Sequence, residues 1–287
     1  MRAPAWVPFA FLAPALAGLL LFRVAPVGIA LVGGFFGTSL TGEAVFAGFD
    51  NYSRLADDPE FWSSVRVTLL FNVVINPLQV ALAFGLALLM ARPGRGVGTL
   101  RTAVLLPITV SIALTSVLWN LLLDPGVGPV NGVLRSLDLP AQPFFRSAGQ
   151  ALPSIIVMCT WRGVGYWMLF MLAGLNAIPA EVNEAAVIDG AGPWRRMWHI
   201  TLPLMRRTFA FVLIADTAAN FLLFAPVYII TSGGPAGSTA LLMYEAYRAA
   251  FTLLDEGRSL ALSTVILAII GAVAALEMRF FRAEEGV

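Results

Sequence analysis

An all-helical integral membrane protein with six spans is the fold class this sequence predicts, and three observations predict it. Of the 287 residues, 59% are hydrophobic and only 12% are charged, about half the charged share of ~25% found in soluble domains. Six apolar runs are long enough to cross a hydrocarbon core about 30 Å thick, which takes roughly 20 helical residues. Arginine is distributed unevenly among the short loops between them.

The runs lie near 9–36, 66–91, 101–123, 152–178, 205–230 and 259–281. The first follows Arg2 and contains Ala15-Leu16-Ala17, a signal-peptidase-like tripeptide. Apolar sequence continues well past it, so an uncleaved span is expected. The second carries Asn72, Asn76 and Gln79 around Pro77, and the third carries Thr109, Ser111, Thr115, Ser116 and Asn120. These read first as polar groups that pack helices together. The loops "DNYSRLADDPEFW", "DPGVGPVNG" and "TSGGPAGSTA" are rich in Gly, Pro and Asp and read as turns and short surface helices. Six spans and their loops use the chain as one transmembrane domain, 1–287.

Orientation follows from the arginines, because short cytoplasmic loops are enriched in positive charge. With the N-terminus inside, the inside segments hold Arg2, Arg92, Arg95, Arg101, Arg195, Arg196, Arg206, Arg207, Arg279 and Arg282. The outside loops hold only Arg54, Arg66, Arg135, Arg146, Arg248 and Arg258. Both termini are therefore expected in the cytoplasm.

Several chemistries are excluded. Every basic residue is Arg, and a P-loop needs a lysine on the nucleotide phosphates, so the chain is no P-loop ATPase. One cysteine, Cys159, permits neither an internal disulfide nor a cysteine metal cluster. The only histidine, His199, lacks a recognisable nucleophile or acidic orienter, and no HExxH motif occurs. No catalytic residue and no metal site are assigned.

Two spans carry polar stripes. Cys159, Arg162, Gly163 and Tyr166 follow i, i+3, i+4, i+7 on the fourth, and Asp216 and Asn220 are i, i+4 on the fifth. A charge near the bilayer centre costs about 2.5 to 3.5 kcal/mol on insertion scales, so Arg162 and Asp216 should face a cavity or each other. Arg162, Gly163, Tyr166, Asp216 and Asn220 are the candidate substrate residues. A purely structural Arg162–Asp216 pair is the alternative.

Between these spans lies a polar segment, 181–203, that includes "EAAVIDGAGPWRRMWHITLP". Glu181 and Glu184 suit the start of a short helix, and Gly190 with Gly192-Pro193 would break it before a second helix from Trp194 to Ile200. Read physically, this is an interfacial connector with Trp194 and Trp198 at headgroup level, or a docking element. Its spacing resembles the EAA loop of binding-protein-dependent ABC importer permeases: Glu184-Ala185-Ala186, Gly190, Ile200, Leu202 and Pro203 fill every fixed place. "GFDNYSRLADDPEFWSSVRVTL" and "YIITSGGPAGSTALLMYEAYRAAF" are similar to segments of the maltose-type carbohydrate permeases, specifically the partner like the maltose importer's first permease.

The resemblance implies the type I importer permease fold and a transport subunit that is not an enzyme. It implies that 181–203 is the coupling helix, with Glu184, Ala185, Ala186, Asp189 and Gly190 meeting a separate ATPase. ATP and magnesium would sit on that ATPase, and no cofactor on this chain. The implied partners are a second permease in a heterodimer, an ATPase dimer, an extracytoplasmic sugar-binding protein and a sugar, with no nucleic acid. The implied location is a bacterial or archaeal inner membrane. Trp161, Gly163, Tyr166 and Asn220 fit the family's sugar-contacting helices, whereas Cys159, Arg162, Ala219 and Leu223 depart from the maltose pattern. An ion-coupled secondary transporter is the rival, though Asp216 is the one clear carboxylate such a carrier could use.

Overall fold

A computed structural model describes residues 7–38, 43–91 and 94–283. Arg2 and Arg92, both used above for orientation, lie outside the described residues. The first expected span begins as α1 (Val7–Leu19), passes through a π-helical turn at Leu20–Val24 that leaves Arg23 exposed, and ends as α2 (Ala25–Gly33). It stops short of residue 36 because Phe36–Thr38 forms strand β1, paired antiparallel with β2 (Ala44–Phe46). The regular structure of the described residues is thus helical apart from this small hairpin. Then follow α3 (Asp50–Ala56), α4 (Pro59–Ala91), α5 (Val97–Thr109), α6 (Ile112–Leu122), α7 (Pro129–Ser136) and α8 (Ala151–Asn176). The rest is α9 (Ala180–Ile188), α10 (Pro193–Arg196), α11 (Leu202–Leu204), α12 (Arg206–Phe221), α13 (Leu242–Phe251) and α14 (Glu256–Ala283).

Four stretches of the described residues are long and apolar enough to cross a membrane: Phe11–Gly33, Pro59–Ala91, Ala151–Asn176 and Glu256–Phe281. The third expected span is bent by 98° between α5 and α6, and makes a fifth if the two are counted together. Val110 is extended there, and Ser111 caps α6 by accepting the Leu114 N–H at 3.2 Å. The fifth expected span, 205–230, is helical only to Phe221. Helical structure resumes at Ala225-Pro226, where the missing proline N–H costs nothing in a first turn, and runs on as a π turn at Val227–Thr231.

The chain divides into two compact units, Met1–Trp62 with Glu245–Ala268, and Ser63–Tyr244 with Ile269–Val287. In the first, buried Asn51 donates from Nδ2 to the carbonyls of Gly34 (3.0 Å) and Phe36 (2.8 Å), tying α3 to the hairpin. Gly257 lies so close to Asn51 and the Phe36 carbonyl that a Cβ would collide with both. Asp58 pairs with Arg258, and Arg248 bridges Glu60 (2.6 Å) and Glu245 (2.9 Å).

The second unit holds two apolar cores. One gathers Phe71, Ile75, Ile155, Met158, Val227 and Leu241. The other gathers Ala83, Ala87, Met90, Met168, Met171 and Val212. Small residues on α4 admit the flexible methionines of α8, which fill the irregular space between them. The polar positions of α4, α8 and α12 lie with these cores and form the cavity described next.

Candidate functional site

A cavity of about 350 Å³ lies among α4, α8, α12 and the α5–α6 break. Its wall includes all five candidate substrate residues, Arg162, Gly163, Tyr166, Asp216 and Asn220, together with Gln79 and Trp167. Helical spacing explains the convergence. Asn72, Asn76 and Gln79 rise along one face of α4, as do Cys159, Arg162, Gly163 and Tyr166 along α8.

One buried hydrogen-bond network organises the floor. Asn220 Nδ2 donates to Asn76 Oδ1 (2.8 Å), to Asp216 Oδ1 (3.0 Å) and, at longer range, to Gln79 Oε1 (3.3 Å). Asn76 Nδ2 donates to the Thr217 hydroxyl at 2.8 Å, which in turn donates to Glu277 Oε1 at 2.8 Å. Gln79 Nε2 donates to the Cys159 carbonyl at 3.0 Å. Asp216 is 1% exposed, and its Oδ2 is buried without a hydrogen bond. In a low-dielectric interior such an atom is costly unless something occupies the space in front of it.

Arg162 and Asp216 do not pair; no ion pair joins them among the described residues. Arg162 instead donates from Nε (3.4 Å) and Nη2 (3.3 Å) to the Val110 carbonyl. The bend takes that carbonyl out of the helical pattern, and at membrane depth it needs a donor from elsewhere in the protein. Both bonds are long and go to one acceptor, so most of the guanidinium's donors are left for the cavity. Gly163 contributes by lacking a side chain: a Cβ there would approach Gln79 Nε2 at 2.9 Å. Tyr166 is half-exposed and stands edge-on to Trp167, with ring centroids 4.9 Å apart.

Sequence reasoning ranked Asn76 and Gln79 below the stripe on α12, yet both bond directly to Asn220. It missed Glu277 altogether. The signal was present, a carboxylate inside the sixth apolar run, and it makes Asp216 one of two intramembrane acids rather than the one clear case.

The polar segment forms the expected pair of helices. α9 covers Ala180–Ile188 and ends in a Schellman turn: Ala191 N bonds to Ala186 O (2.9 Å) and Gly190 N to Val187 O (3.0 Å), with Gly190 at φ +75°. Glu184, Ala185, Asp189 and Gly190 are exposed, while Ala186 is buried at 6%. Glu184 has no ion-pair partner among the described residues, and beside it Val187 and Ile188 are exposed. After Gly192 the chain runs through α10 into a π turn, Met197–Thr201. Trp194 and Trp198 contact each other and line an apolar groove with Pro77, Phe84 and Phe209. His199 Nδ1 lies 3.1 Å from the Arg195 carbonyl, a local helical contact.

Membrane helices, an interior polar cavity between them and an exposed helix–turn–helix between α8 and α12 define a transport permease. Residues 79–282 match the family of binding-protein-dependent transport system inner membrane components, and the chain belongs to that family. It is the permease subunit of an ABC importer, not an enzyme and not an ion-coupled carrier. It is 35% identical to the sn-glycerol-3-phosphate transport system permease protein UgpA of Brucella abortus over 280 residues, 96% of this chain and 94% of that one. It is also 35% identical to its counterpart in Agrobacterium fabrum over 236 residues, 82% of this chain and 80% of the relative. The fold superposes on a chain of a bacterial ABC transporter that imports the acidic polysaccharide alginate, with TM-score 0.83 at 22% identity, covering 97% and 96% of the two chains. A second structure, of the bacterial alginate ABC transporter with an alginate pentasaccharide-bound periplasmic protein, gives TM-score 0.79 at 22% identity, covering 96% of this chain and 92% of that one.

Proposed function

We propose that this chain forms half of the translocation path of an ATP-driven importer for a sugar or sugar derivative that carries an anionic group. The observation that carries this reading is the 350 Å³ cavity in which Arg162 stands without a carboxylate partner opposite Asp216, Asn220 and Gln79. Guanidinium is the donor best suited to a phosphate or carboxylate. Carboxylate and amide groups suit hydroxyls, and the Tyr166 ring offers an apolar plane for the sugar face. The similar permeases are named for sn-glycerol-3-phosphate, and the similar structures for an acidic polysaccharide, both anionic and rich in hydroxyls. The departures from the maltose-type pattern at Cys159, Arg162, Ala219 and Leu223 agree with a substrate other than maltose.

Transport then proceeds by alternating access. A second permease supplies the other half of the path, and an extracytoplasmic binding protein delivers the substrate. A separate ATPase dimer holds ATP and magnesium and moves α9 through Glu184, Ala185, Ala186, Asp189 and the Gly190 turn. The termini lie in the cytoplasm, on the same side as α9, as the arginine distribution requires.

The test is uptake into proteoliposomes by the complete importer, with sn-glycerol-3-phosphate and a neutral disaccharide as probes. Arg162→Ala is expected to lower uptake of the anion by roughly 10- to 150-fold, the equivalent of the 1.5 to 3 kcal/mol of a hydrogen bond to a charged group. Import of the disaccharide alone, or an unchanged rate in the variant, would remove the anionic assignment.

A further inference from the structure

A second groove, of about 550 Å³, shares no lining residue with the substrate cavity. It runs between α4 and the start of α8, with Ala236, Gly237 and Ser238 at its mouth. On α4 it is lined by Ser63, Arg66, Val67, Leu70 and Val74, whose spacing forms a single stripe. All its polar side chains are at one end: Ser63, Arg66 and Ser238. Further along, the walls are Leu70 and Val74 on one side and Ile156 and Val157 on the other. From Val67 to Ala91 α4 carries no charge, so Arg66 marks the depth at which the hydrocarbon core begins.

The charge at the mouth is uncompensated. Arg66 is exposed and makes no hydrogen bond or ion pair with the described residues, and no Asp or Glu lines the groove. Ser238 Oγ is buried without a partner. An occupant must therefore bring an anion to Arg66 and hydrocarbon to the remainder. Between Arg66 and Val74 the helix rises about 12 Å, enough for a substantial part of an acyl chain. A peptide would be a poor fit, because its backbone N–H and C=O groups would find no partners along the apolar walls.

We propose that this groove binds a phospholipid of net negative charge, its phosphate on Arg66 with the Ser63 and Ser238 hydroxyls beside it, and one acyl chain between α4 and α8. A zwitterionic headgroup fits less well, because its ammonium would meet Arg66 and no carboxylate. The site stands apart from the substrate reading, since none of its residues lines the transport cavity.

Native mass spectrometry of the complete importer, released from membranes and titrated with phosphatidylglycerol or phosphatidylcholine, provides the test. Phosphatidylglycerol should be retained in preference to phosphatidylcholine. Arg66→Glu should reduce its retention at least tenfold, and Arg66→Lys much less. Leu70→Trp, which fills the apolar part without altering charge, should reduce retention of both lipids. Equal retention of the two lipids by the wild type, or retention indifferent to Arg66→Glu and Leu70→Trp, would overturn the proposal. So would displacement of the lipid by millimolar inorganic phosphate, or cross-linking of a photoreactive residue at Val74 to the other permease, which would show a protein covering this face. Uptake assays on Arg162 variants are unaffected by either result, so the two readings fail separately.

Discussion

Asn220 bonds to three acceptors through one amide nitrogen, reaching Asn76, Gln79 and Asp216. Asn220→Ala removes that hub. Hydrogen bonds between membrane helices average only about 0.6 kcal/mol in double-mutant cycles, so the fold should survive with a loss of roughly 1 to 2 kcal/mol. Uptake should fall at least tenfold while ATPase activity is kept, because two of the three stranded acceptors, Gln79 and Asp216, line the cavity and lose their orientation in it. Thermal melts run beside uptake separate the two effects, and wild-type uptake in a stable variant would move the site elsewhere. Asp216 and Asn220 were legible from their i, i+4 spacing. That Arg162 bonds to Val110 rather than Asp216 was not, because spacing places a side chain on a face and says nothing of which neighbouring helix it meets.

At the scale of elements, glycines determine how closely helices approach. A Cβ on Gly165 of α8 would collide with the backbone carbonyl of Val104 on α5, which has no flexible end to move aside. Gly165→Ala is therefore expected to separate α5 from α8 and to cost about 1 to 3 kcal/mol, the range for overpacking. A lowered melting temperature with Gly163→Ala as the milder comparison would show it, since Gly163 faces only the end of the Gln79 side chain. The α9 turn is a second case. Gly190 takes a left-handed conformation that side chains other than Gly and Asn resist, and the sequence announced the turn correctly. Glu184 stands exposed before it. Glu184→Lys should abolish uptake by at least tenfold while leaving the ATPase able to hydrolyse ATP, and a variant that still transports would remove α9 from the coupling role.

For the molecule as a whole, pH is the accessible variable. Burial raises the pKa of Asp58, but the hydrogen bond from Arg258 and the backbone N–H of Glu60 (2.8 Å) more than offset it and hold the carboxyl below its ordinary value. A depressed carboxyl contributes stability above its unfolded pKa of about 3.9 and loses it as pH falls through the folded value. Melts between pH 3 and 7 should therefore show a steeper acid decline in the wild type than in Asp58→Asn. The difference at neutral pH should be no more than about 1 kcal/mol, the scale of ion pairs that water still reaches. Parallel curves would show that the pair carries no linkage.

Composition and hydropathy by themselves determined the membrane class and the approximate positions of the four long apolar helices, and the resemblance carried by the 184–203 segment pointed to the importer family. These are local properties: an apolar run is helical because a bilayer offers its backbone no other partners. The end of the first span, the 98° bend after Val110 and the early stop of α12 at Phe221 were decided elsewhere. Pairing of β1 with β2 accompanies the first interruption, and the Ser111 cap with the bond from Arg162 makes the second tolerable; of these contacts only the Arg162 bond, to a carbonyl 52 residues away, joins residues distant in sequence. Glu277 shows the same division. Its carboxylate is visible in the sequence, but only the packing of α14 against α12 brings it to Thr217 and so into the polar network around Asn76 and Asn220.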